Sequence, residues 1–176
     1  TAIDNIFAVP AGTELIWHGQ DEGIAPFKTR RSLEWQEHPD QLTEENEAIA
    51  PLQTLLKDSI YSQIGDLQHE PVGIFLSGGL DSSIVAALLV QVGVNVRAYT
   101  LDFGPEGIPE SSYAEQVAHG LKIPLTKVDA GPAKIRAALM PTAKALDQPF
   151  GDGVTVPLFL LAQAASQDVS VIFNGE

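Results

Sequence analysis

The chain has 176 residues, 44% of them hydrophobic and 19% charged, which suits one packed core of ordinary size and excludes a disordered or collagen-like polypeptide. Ten basic against twenty-three acidic residues give a net charge of −13, which argues against a broad nucleic-acid or anionic-membrane surface but not against a local nest of N–H groups that holds a phosphate. The absence of cysteine excludes a thiol nucleophile and a thiolate zinc site. No apolar run approaches the roughly 18 residues of a membrane helix, so a cytoplasmic location is the default.

In chain order, residues 6–9 and 13–17 are short apolar stretches broken by Pro10, Ala11 and Gly12, a pattern that predicts a hairpin-like pair of strands. Residues 32–43 have no sustained period and read as a linker. From Glu44 the spacing of Ile49, Leu52, Leu56, Ile60 and Ile64 predicts a helix, with Thr43 as its N-cap and either a kink or a later start at Pro51. An apolar run at 72–76 is followed by a helical pattern over 82–92, a strand at 96–103 and a helix at 111–122. A strand at 124–128, helices at 132–146 and 155–166 and a strand at 169–173 complete the alternation. Strands alternating with helices of this length predict an α/β fold, a mostly parallel sheet with flanking helices, whose ligands bind beyond the carboxyl ends of the strands.

One such end carries Ser77-Gly78-Gly79-Leu80-Asp81-Ser82-Ser83, a tight turn aimed at a helix N-terminus. Gly78 and Gly79 can take positive φ and leave no Cβ between the backbone and a guest. The first N–H groups of the helix and the hydroxyls of Ser77, Ser82 and Ser83 then make an anion site. Asp81 repels phosphate directly, but it suits a magnesium ion held between its carboxylate and phosphate oxygens. The bland alternative is a helix cap on a glycine turn. Against it, a chance match to the five fixed positions S-G-G-x-D-S is on the order of one in a million per window. No G-x-x-x-x-G-K-[ST] loop is present, and His18, His38, His69 and His119 lack metal-ligand spacing.

At these residues the chain resembles the N-type ATP pyrophosphatase superfamily, with its SGGxDS signature (PP-loop), and within it the asparagine synthetase (glutamine-hydrolysing) family. The segments 113–121, 146–165 and 172–176 (IFNGE) extend the resemblance, and residues 6–17 resemble the last strands of that family's glutaminase domain. The resemblance implies an adenine nucleotide alpha-hydrolase-like fold and an ATP- and Mg²⁺-dependent enzyme. That enzyme adenylates the side-chain carboxylate of aspartate and then forms an amide with ammonia, which comes from glutamine in a separate domain. It further implies that Ser77, Gly78, Gly79, Asp81, Ser82 and Ser83 hold pyrophosphate, with Asp81 reaching the metal through it. Leu76 and Leu101 would line the nucleotide pocket, Asn174 and Gly175 the adenosine side, and Glu176 the acyl-adenylate side. Asp152 matches an acidic position of the family and reads equally as a polar loop residue.

The domain boundaries that follow are 1–31 for the end of a glutaminase-like domain, 32–43 for the linker and 44–176 for a synthetase domain truncated at its C-terminus. The family's cysteine nucleophile and its G-G-D-E continuation are both missing, so the chain is expected to be a piece of a longer protein, able at most to bind nucleotide. No nucleic-acid or membrane partner is expected, and a homodimer of the parent protein is left open. Two other readings remain at this stage: a β-lactam synthetase-like ligase, and a nucleotide-binding module without turnover.

Overall fold

The structure, a computed structural model, describes residues 4–17, 27–31, 44–65, 70–105, 107, 110–147 and 152–175. The expected linker 32–43, Thr43 and Glu176 lie outside the described residues. The chain divides into two compact units, residues 1–45 and 46–176.

In the first unit, β1 (Thr13–Trp17) pairs antiparallel with β2 (Phe27–Arg31), Thr13 opposite Arg31 and Trp17 opposite Phe27. The expected partner of β1, residues 6–9, forms no strand, and Ile6, Phe7 and Val9 are exposed. Gly12, at φ +67°, turns the chain ahead of β1, whereas FKTRR carries too few apolar residues for its period to be visible.

The second unit opens with α1 (Glu45–Ile64), which runs through Pro51 and thereby leaves one carbonyl without its helical donor. It continues as β3 (Val72–Phe75), α2 (Leu80–Gln91), β4 (Val96–Asp102), α3 (Glu110–Leu121), β5 (Leu125–Asp129), α4 (Pro132–Ala145), α5 (Thr155–Ala165) and β6 (Ile172–Phe173). The four strands form one parallel sheet in the order β5-β4-β3-β6. This is the sheet with flanking helices that the alternation predicts. The last strand is shorter than expected because Ser166–Asp168 still turn out of α5; Val171 nevertheless accepts a bond from the Gly73 N–H at 2.8 Å.

Both faces of the sheet are covered, which is why β3 carries no polar side chain and β4 buries residues on both faces. On one face Val72, Ile74, Val96 and Ala98 pack against Leu89 of α2, Ala114 and Ala118 of α3, and Ile60 and Ile64 of α1. On the other, Tyr99 packs with Leu161 and Ala165 of α5, flanked by Leu101, Val169 and Ile172. Gly73 faces this second layer so closely that a Cβ there would collide with Ile172 Cδ1 and lie 2.9 Å from Val169 Cγ2. The Tyr99 hydroxyl donates to Asp168 Oδ2 at 3.1 Å, and Arg97 reaches Asp168 Oδ1 at 3.5 Å, tying β4 to the turn that precedes β6.

No helix among the described residues is long and apolar enough to cross a membrane.

Candidate functional site

The connections from β3 to β4 to β5 step along the sheet in one direction, while β6 lies on the other side of β3. The carboxyl end of β3 is therefore the topological switch point, where neighbouring connections leave in opposite directions and open a crevice. Ser77–Ser83 occupies that point.

The helix begins two residues earlier than the apolar period indicates, so Leu80 and Asp81 belong to its first turn. Gly78 sits at φ +81°, and its missing Cβ would come 2.5 Å from Tyr113 Cβ and 2.6 Å from the Ala114 N of α3. Gly79 differs from the expectation of positive φ: at φ −69° and ψ 169° it is the extended N-cap of α2, with no side chain capping it. The first N–H groups of a helix have no intrahelical acceptor and lie at the positive end of the helix dipole.

The serines divide. Ser77 Oγ and Ser82 Oγ are 3.1 Å apart, and Ser77 Oγ accepts from the Gly79 N–H at 3.2 Å, so these hydroxyls fold over the loop. Ser83 donates its hydroxyl to the Gly79 carbonyl at 2.6 Å while its N–H donates to the same oxygen at 3.1 Å, and the Ser82 hydroxyl reaches that oxygen more weakly, at 3.4 Å. As placed, Ser83 closes the first turn of α2 and does not line the crevice.

The crevice is a pocket of about 330 Å³. Of the residues singled out in the sequence, Leu76, Ser77, Gly79, Asp81, Ser82, Leu101, Asn174 and Gly175 all line it. They come from four separate segments: the β3 end, the first turn of α2, the end of β4 and the residues after β6. Gly175 is held against α2 so tightly that a Cβ would lie 2.9 Å from the Ser82 nitrogen. The wall also includes Glu110, the first residue of α3, and Val154, Leu158 and Leu161 at the start of α5, which the motif alone does not reveal. In the sequence the last three show as a spacing of four and three residues within the segment 146–165. Asp81 and Glu110 are the acidic residues of this wall, and no Lys, Arg or His is among its described residues.

Asp152 stands just before α5. Its Oδ1 accepts from the Thr155 hydroxyl at 2.6 Å and from the N–H groups of Thr155 and Val154 at 2.7 and 3.0 Å, which secures the start of α5. The Thr155 hydroxyl above all, then those two N–H groups, hold its carboxyl below the usual aspartate range.

The family model described as Asparagine synthase matches residues 51–176. The chain belongs to the asparagine synthase family. Among its relatives in that family, asparagine synthetase [glutamine-hydrolyzing] 1 of Bacillus subtilis is 27% identical over 134 residues, covering 76% of this chain and 21% of the relative. A putative asparagine synthetase [glutamine-hydrolyzing] of Mycobacterium bovis is 34% identical over 105 residues, or 60% of this chain and 16% of the relative. The chain thus spans 21% and 16% of the length of these two asparagine synthetases. Among solved structures, an NH3-dependent NAD synthetase from Campylobacter jejuni overlays with a TM-score of 0.49 at 18% identity, over 70% of this chain and 54% of that one.

Proposed function

We propose that this chain carries the ATP-binding part of an amide-forming ligase that converts aspartate to asparagine. The observation that carries the reading is the convergence of the Ser77–Ser82 loop with Leu101, Asn174 and Gly175 on one pocket at the switch point. An aspartate side-chain oxygen attacks the α-phosphorus of ATP, the bond to the bridging oxygen breaks and pyrophosphate leaves. The ammonia nitrogen then attacks the acyl carbon, AMP leaves, and the nitrogen sheds one proton to give the amide.

The residues of this chain divide that work by position. The first N–H groups of α2 and the hydroxyls of Ser77 and Ser82 face the departing pyrophosphate and stabilise charge that grows as it leaves. Leu76 and Leu101 offer apolar contact to the nucleoside, with Asn174 and Gly175 on its other side; the family resemblance assigns the acyl-adenylate to Glu176. Fixing the reacting atoms in one crevice supplies much of the remaining acceleration.

Magnesium fits this wall. A polyphosphate entering a pocket with two carboxylates and no basic described side chain needs a cation, and Asp81 offers the hard oxygen such an ion prefers. When bound, the ion neutralises phosphate charge.

Residues 1–31 would close a glutaminase-like domain that supplies ammonia, with 32–43 as the link to it, and the protein would work in the cytoplasm. Pyrophosphate release by the full-length protein with ATP, aspartate and ammonia tests the reaction; release with a different carboxylate but none with aspartate removes the asparagine assignment. Calorimetry tests the loop separately. Ser77→Ala and Asp81→Ala are expected to abolish magnesium-dependent ATP binding, and unchanged isotherms would place the nucleotide elsewhere.

A further inference from the structure

We propose that Glu110 recognises the ribose cis-diol of the bound nucleotide and so selects ribonucleotides over deoxyribonucleotides; this rests on the nucleotide reading of the pocket. Glu110 is the first residue of α3, half-buried in the pocket wall, and no described residue forms a salt bridge or hydrogen bond with its carboxylate. Its position relative to the phosphate loop is fixed by contact: the backbone of Tyr113, three residues on, abuts Gly78.

Three residues of helix rise about 4.5 Å, so Glu110 stands roughly one turn from the loop. A nucleotide whose phosphates lie at that loop places its sugar one unit away and its base farther along the apolar wall of Leu101, Leu158 and Leu161. Against phosphate, a carboxylate is repelled. Against the sugar, it meets two adjacent hydroxyl donors that match its two acceptor oxygens. Dinucleotide-binding sheets use the same chemistry, with an acidic residue beyond the second strand accepting from ribose. Here the strand before Glu110 is likewise the one next to the loop-bearing strand.

Calorimetry of the full-length protein with magnesium and ATP, 2′-deoxy-ATP or 3′-deoxy-ATP tests the assignment. The parent protein is expected to prefer ATP by about tenfold or more, the scale of a hydrogen bond to a charged group. Glu110→Ala should bring the three affinities within about twofold of one another, and Glu110→Gln, which keeps one acceptor oxygen and the side-chain shape, should give an intermediate preference. Full discrimination retained in Glu110→Ala overturns the assignment. So does a parallel loss for all three nucleotides with a raised magnesium requirement, which marks a metal role. If the parent protein binds none of them, the nucleotide reading itself fails and the inference falls with it; binding with an unaltered preference removes the inference alone.

Discussion

Gly78 and Gly79 are adjacent in the motif but should respond very differently to an added methyl group. In Gly78→Ala, alanine must hold φ near +81° and place its Cβ 2.5 Å from both the carbonyl carbon and the Cβ of Tyr113. The left-handed conformation costs about 1–2 kcal/mol and the overlap with α3, where backbone must move, about 1–3 kcal/mol more, for a total of about 2–5 kcal/mol. That is a large share of the roughly 5–15 kcal/mol that holds a domain folded. Gly79→Ala keeps an ordinary extended conformation and meets only Ser77 Oγ, at 3.2 Å, the movable end of a side chain. Its stability should stay within about 1 kcal/mol of the parent. Thermal unfolding reads the difference: at roughly 3 °C per kcal/mol, Gly78→Ala should melt about 6–15 °C lower, with Gly79→Ala near the parent. Equal shifts, or a larger one for Gly79→Ala, would refute the assignment of separate roles to the two glycines.

Gly73→Ala should destabilise by about 1–3 kcal/mol through overlap with Ile172 and Val169. Ile172→Val removes the closest of those atoms, so a double-mutant cycle in urea should show a favourable coupling of at least about 0.5 kcal/mol. Tyr99→Phe should cost about 1 kcal/mol at neutral pH. Burial first, then the bond to Asp168, raises the Tyr99 phenol above its ordinary 10.0; its contribution is complete below that value and lost as pH rises through the folded one. The gap between parent and Tyr99→Phe should therefore narrow in strong alkali, as paired melting curves would show. For Asp152 the sign is reversed: its depressed carboxyl contributes above the ordinary 3.8 and loses that contribution as pH falls through the folded value. Asp152→Asn should melt below the parent at neutral pH and converge with it in acid.

The order of strands and helices from Val72 onward was legible because both faces of the sheet are buried, which leaves β3 without a polar side chain and β4 with apolar residues on both faces, each bounded by glycine and polar turns. The Ser77–Ser83 loop was legible for a different reason: a short segment contains the turn, the hydroxyls and the carboxylate together. Glu110 was hidden because its place on the wall depends on how α3 packs against Gly78, a contact without a local pattern. The backward bond of the Ser83 hydroxyl to Gly79 was not legible, because spacing alone does not say which way a hydroxyl in the first turn of a helix points. The partner of β1 was missed because Phe27–Arg31 is largely basic and polar, so pairing rather than hydrophobic period defines it as a strand.

Pairing of Gly73 with Ile172 has a consequence for the order in which the molecule is assembled. As the chain leaves the ribosome, β3 and the glycine turn emerge early, yet Asn174 and Gly175, the opposite side of the crevice, emerge almost a hundred residues later. Early intermediates hold the loop without its facing wall. A ligand bound in the crevice, such as the proposed nucleotide, would therefore add stability to the finished unit but could not template the first steps of its folding.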